Sequence, residues 1–224
     1  LKAQVEPDPV DVVFVLDASG SMTSGMDGKS LWRNMMEDAV PAAIDMIWGS
    51  AVSQNVKEKI RIGIVTYGDN VYNSDSTEVI NTTGLLDYGQ TSSTWSTATS
   101  NAAPPANSIT ITGDAYADLR AWSVAQGGIY PPGLTYMAWG LAEAYNWLST
   151  APSTTTTPKR YVLALTDGGD YGEAGANNVS AALRAAESTV NPGSVSTLPY
   201  TNGGFTASST GLNADVWTVG LGVS

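Results

Sequence analysis

The chain has 224 residues, 42% of them hydrophobic, a formal net charge of −11, and neither cysteine nor histidine. Only ten Lys and Arg are present, too few for the basic face that a nucleic acid needs, and the same acidity disfavours an anionic membrane surface. Without Cys or His there is no disulfide, thiol nucleophile, Ser-His-Asp triad or His/Cys zinc site, so any metal must be held by oxygen.

No apolar run reaches the length of a membrane span, so a soluble chain without membrane insertion is expected. It starts at Leu1 without a signal peptide, as a mature or excised piece of a longer protein would. Val12 to Leu16 is a short continuous apolar run, the pattern of a strand buried on both faces. Leu31, Met35, Ala39, Ala43 and Ile47 then recur every four residues, with Trp32, Met36, Val40, Ile44 and Trp48 beside them. That spacing predicts a helix with a broad apolar face, kinked at Pro41. Strands are predicted at 60–66, weakly at 78–81, at 161–166 and at 216–221, and helices at 137–148 and 179–187. This alternation predicts an α/β fold, a doubly wound, mostly parallel sheet flanked by helices on both faces.

Residues 82–113 and 188–214 are polar, rich in Ser, Thr, Asn, Gly and Pro, and without a clear period. Both read as long surface insertions in one domain spanning 1–224. Tyr88, Trp95, Tyr116, Trp122 and Tyr130 lie in or near the first, and are expected to form a small satellite core holding it down.

The first apolar strand runs straight into Asp17, with Ser19 and Ser21 in the turn that follows; the strand YVLALT ends the same way at Asp167. In a doubly wound sheet ligands bind at the carboxyl ends of strands where the strand order switches. Two carboxylates at neighbouring strand ends repel unless something positive lies between them. Hydroxyls add neutral oxygen donors, and hard donors with little charge suit Mg²⁺ or Mn²⁺. Asp170 reads as a solvated loop carboxylate.

DASGSM, Thr135 in PPGLTYMA and Asp167 in LTDGGD resemble, in order, the three parts of the metal-ion-dependent adhesion site of von Willebrand factor type A and integrin inserted domains. VWTVGLG is similar to the family's next strand, so the resemblance runs from about Val10 to Gly222. It implies that Ser19, Ser21 and Thr135 contact Mg²⁺ (or Mn²⁺ or Ca²⁺) directly, while Asp17 and Asp167 act through waters or hydrogen bonds. It also implies a non-catalytic adhesion module whose ion keeps one position for an acidic residue of a protein ligand, such as collagen or fibronectin. The composition is similar to that of adhesins at the tips of Gram-positive pili, which implies an extracellular, cell-surface setting anchored through other parts of the protein. The family continues past this strand with two helices and an edge strand, so the domain reads as C-terminally incomplete, its sheet covered by a further segment of the parent protein. The rival expectation is a haloacid-dehalogenase-like, Mg²⁺-dependent phosphotransferase. That class needs a second carboxylate where Ser19 stands, and a lysine near the later acidic motif, whereas Lys159 precedes that strand.

Overall fold

The computed structural model describes residues 6–26, 28–68, 79–91, 109, 111–128, 135, 137–150, 157–168, 173–185 and 210–221. The strands are β1 (Val10–Asp17), β2 (Gly25–Met26), β3 (Lys29–Ser30), β4 (Ile60–Tyr67), β5 (Val79–Thr82), β6 (Leu86–Asp87), β7 (Lys159–Thr166) and β8 (Asp215–Gly220). The helices are α1 (Leu31–Arg33), a π-helical turn (Asn34–Ala39), α2 (Val40–Trp48), α3 (Gln54–Lys57), α4 (Ala115–Gly127), α5 (Met137–Thr150) and α6 (Glu173–Arg184). One sheet has the order β5-β4-β1-β7-β8, with β6 also paired to β4; β2 and β3 make a separate ribbon. The β4–β1, β1–β7 and β7–β8 ladders are parallel, while β5 and β6 run antiparallel to β4. The expected mostly parallel α/β sheet is therefore present. From β1 the chain goes first to β4 on one side and later to β7 on the other, so the topological switch lies between β1 and β7.

Alternation along β1 sorts its side chains between two cores. Val12, Phe14 and Leu16 pack with the π turn, α2 and α4, whereas Val13 and Val15 pack with α5 and α6. Both faces of the central strands are apolar because helices cover both, which is why the run at 12–16 lacks polar interruption.

The first insertion is less superficial than expected where it is described. Thr83 accepts a hydrogen bond from the Ile64 amide, Leu86 pairs with Ile62, and Leu86, Ile109 and Ile111 are buried in the main core. Trp122 and the partly buried Tyr88 and Tyr116 join that same core, and Tyr88 meets Trp48 edge-on with centroids 5.8 Å apart. These three aromatics are held inside, as expected, but as part of the principal core rather than a satellite; Trp95 and Tyr130 lie outside the described residues. At the end of the second insertion Leu212 and Ala214 are buried, and the amides of 212–214 donate to carbonyls at the end of α6.

Pro41 acts earlier than a kink would suggest. It cannot donate to the carbonyl of residue 37, and its ring crowds the preceding turn. The helix widens just ahead of it, and the Val40 amide bonds to Met35 O, five residues back. The strand at 78–81 and the helix at 179–187 are present with shifted limits, as β5 and α6. Helix α4 was not expected at all.

Candidate functional site

The site grows out of the end of β1. After Asp17 the backbone stays tied to the sheet, since the Ala18 amide donates to Tyr67 O of β4 at 2.7 Å. The chain then turns through a short 3-10 helix (Gly20–Thr23), which the Met22 and Ser24 amides close onto Ser19 O and Ser21 O. The buried Asp17 carboxylate organises this turn: Oδ1 accepts from the Ser19 amide at 2.8 Å, and Oδ2 from the Thr166 hydroxyl of β7 at 2.7 Å.

From there a run of hydroxyls crosses to the neighbouring strand. The Ser19 and Ser21 Oγ atoms are 2.9 Å apart, and Ser21 Oγ donates to Asp167 Oδ1 at 2.8 Å. Asp17 and Ser19 are buried, Asp167 is half-buried and Ser21 is exposed, so the run leads from the interior out to solvent. The structure thus brings four of the five expected residues together across the β1–β7 switch point.

Thr135 stands at the same end of the sheet, though among the described residues no hydrogen bond joins it to the other four. Its position follows from the packing of α5. A Cβ on Gly140 would lie 2.6 Å from Val15 Cγ1 and 2.8 Å from Tyr67 Cδ1, so the helix backbone presses directly on the last turns of β1 and β4. Further along, the Trp147 ring lies over Gly63, nearer the strand's beginning, with Cζ3 2.9 Å from where a Cβ would be. The helix therefore starts at the carboxyl ends of the strands, and the buried Thr135, two residues before Met137, is at that end.

Burial pushes the Asp17 carboxyl above the usual aspartate range; the bonds from Ser19 and Thr166 oppose this, and the Asp167 charge adds to it. No basic side chain bonds to either aspartate among the described residues, so the site carries unneutralised negative charge. No group of three or more Asp or Glu gathers anywhere among them either. The donor set is therefore two carboxylates and several hydroxyls whose protons already have acceptors, which leaves oxygen lone pairs for a small hard cation. The chemistry of that set is compatible with a small divalent cation.

Thr166 was not singled out from the sequence, although it holds the Asp17 carboxylate from the next strand. Its signal was a polar residue closing an otherwise apolar strand, directly before Asp167. Asp170 lies outside the described residues. Lys159, which a phosphotransferase would want near Asp167, begins β7 at the opposite end and pairs with Asp8 at 3.2 Å.

Compared with protein families and with curated proteins, the chain matches none. Its structure is similar to several solved ones. The pilus adhesin SpaC from Lactobacillus rhamnosus GG is 21% identical, with 75% of this chain and 16% of that chain covered and a TM-score of 0.49. The von Willebrand factor type A structure from Catenulispora acidiphila is 20% identical over 77% of this chain and 30% of that one, with a TM-score of 0.42. Manganese-loaded TRAP protein from Plasmodium vivax is 16% identical over 77% and 52%, also with a TM-score of 0.42. The chain thus spans about a sixth of the length of the adhesin it resembles.

Proposed function

We propose that the chain is a metal-dependent adhesion module, in which Asp17, Ser19, Ser21, Thr135 and Asp167 hold a divalent cation, Mg²⁺ by preference over Mn²⁺ or Ca²⁺. The observation that carries this reading is the run Asp17, Ser19, Ser21, Asp167, two uncompensated carboxylates linked by hydroxyls across neighbouring parallel strands. When bound, such an ion supplies an electrophilic position for an outside carboxylate, because hydroxyl donors leave most of its charge unspent. The chain's own residues do the positioning. Asp17 fixes the Ser19 amide and the β7 strand end, Ser21 reaches Asp167, and the short helix that Ser19 leads into holds Ser21 at the exposed rim.

The ligand on this reading is a protein offering an acidic residue, of the extracellular-matrix kind represented by collagen or fibronectin. The acidic, cysteine-free, Ser- and Thr-rich composition and the sequence resemblance support a setting at the tip of a Gram-positive pilus, anchored through parts outside this chain. Trp217 and Val219 on β8 are 63% and 44% exposed, which supports a further segment of the parent protein lying over that part of the sheet.

Calorimetry with Mg²⁺ and Mn²⁺, followed by binding to an array of matrix proteins with and without EDTA, tests the reading. The expected result is heat of binding from the wild type, none from Asp17→Ala, and capture of a matrix protein that EDTA abolishes. Capture that EDTA leaves intact overturns the mechanism. Catalysis is not expected, and phosphate-ester hydrolysis that depends on metal and disappears in Asp17→Asn would favour the phosphotransferase instead.

A further inference from the structure

We infer that Ser123 of α4 is a positioning residue for the site, acting through the π-helical turn at Asn34–Ala39; this inference rests on the proposed metal-binding reading. The argument begins with Pro41. In an α-helix the Met36 carbonyl would accept from the Val40 amide, but that amide is committed to Met35 O. Continued π geometry would offer it residue 41 instead, a proline without an N–H. The Met36 carbonyl thus has no partner within its own helix. The Ser123 hydroxyl supplies one, donating to Met36 O at 2.6 Å, and Ser123 is fully buried. A buried carbonyl left without a donor is costly, so the wide turn depends on α4 for its stability.

What the turn holds is the lead-in to the site. One turn earlier, Trp32 Nε1 donates to Gln126 O of the same α4 at 2.9 Å. Leu31, at the head of α1, donates its amide to Ser24 O, and Ser24 donates to Ser21 O, whose side chain reaches Asp167. A set of bonds therefore runs from Ser123 through the π turn and α1 to the backbone of Ser21, the residue whose hydroxyl reaches Asp167. Reverting the widened turn to α geometry adds about one residue's worth of winding and rotates everything ahead of it by about 100° about the helix axis, Leu31 included. The Ser19–Ser24 loop then loses its register to Asp167. Helix α4, placed by a segment that looked like an insertion, becomes the brace of the metal loop.

Further back, α4 grips α2 independently, through Tyr116 and Arg120 bonded to Asp45. That gives a control. The test compares Ser123→Ala, Ser123→Thr and Tyr116→Phe with the wild type, by Mg²⁺ calorimetry and by amide hydrogen exchange of the metal-free proteins. Ser123→Ala is expected to weaken Mg²⁺ binding about tenfold and to speed exchange across 21–40. Ser123→Thr restores both, and Tyr116→Phe, though less stable, leaves both at wild-type values. Faster exchange confined to α4 and the π turn, with the 21–31 amides unchanged, overturns the inference even if metal binds normally. Equal loss of affinity in Ser123→Ala and Tyr116→Phe overturns it as well, by reducing the effect to general loosening. A wild type that binds no Mg²⁺ removes the metal reading alone, and the exchange arm then decides whether the bracing holds.

Discussion

The two ends of the same parallel strands treat their acids in opposite ways. At the amino ends Glu6 pairs with Lys59, Asp8 with Lys159, and the buried Asp11 with Arg61 through two bonds of 2.7 and 2.8 Å. At the carboxyl ends Asp17 and Asp167 are met only by hydroxyls and an amide among the described residues. Acids on the first end are neutralised within the fold, and those on the second meet no basic partner among the described residues. On the proposed metal-binding reading, the sheet's stability and its function are separated along the strand axis. Of ten basic residues against 21 acidic ones, three pair with acids at the structural end, and among the described residues none bonds to either site aspartate.

The contrast breaks most visibly at Asp11. Asp11→Ala leaves the largely buried Arg61 guanidinium without its partner, at a cost of about 3–5 kcal/mol, and the loss should be the same with and without Mg²⁺. Denaturant melts in both conditions check this, and a loss that Mg²⁺ repairs would show the two ends are not independent. Next in size is the metal linkage. At about a hundred times its dissociation constant, Mg²⁺ should stabilise the wild type by about 2.7 kcal/mol and Asp17→Ala not at all. Thermal melts across a Mg²⁺ series measure the difference. Smaller again is Lys159→Ala, which removes an exposed pair and should cost no more than about 1 kcal/mol, with Mg²⁺ affinity unchanged.

The smallest effect comes from an acid at neither end. Glu143 on α5 has its carboxyl held above the usual range by burial, against bonds from Asn146 and Trp147. A raised folded pKa means the folded state binds the proton more tightly than the unfolded one. Stability therefore falls as pH rises from the unfolded value of about 4.5 through the raised folded value, and stays lower above it. Glu143→Gln escapes that loss, its oxygen still accepting from Trp147. At pH 7 it should be more stable than the wild type by on the order of half a kcal/mol, with the gain gone below about pH 4.5. Paired melts at the two pH values check the sign.

Much of this was open to reading from residue order. The run from Val12 into Asp17 and the run from Tyr161 into Thr166 and Asp167 carry their strand assignment in unbroken apolar character, and the buried polar residues that close them, Asp17 and Thr166, meet each other by a hydrogen bond. Helix α4 escaped because its amphipathic pattern is weak: Ala115, Leu119, Trp122, Ser123 and Gln126 are buried together, two of them polar. Asp114, whose side chain accepts from the Tyr116 amide, was the available start signal. Leu86, Ile109 and Ile111 were passed over because isolated apolar residues in a Ser- and Thr-rich stretch have no period to reveal which face they serve.

The sequence alone determined that aspartates close two apolar strands, with serines after the first, and its resemblance to a known adhesion site added Thr135, so that two aspartates and three hydroxyls were candidates for one site. It also placed a proline where a helix cannot keep its ordinary bonds. Only the tertiary structure decided that β7 lies beside β1, so that Thr166 reaches Asp17 across 149 positions and Ser21 reaches Asp167 across 146. It alone decided that Ser123 answers the carbonyl Pro41 leaves unpaired. Strand neighbours and helix partners are chosen by the packing of whole faces, and no local stretch of chain holds that information.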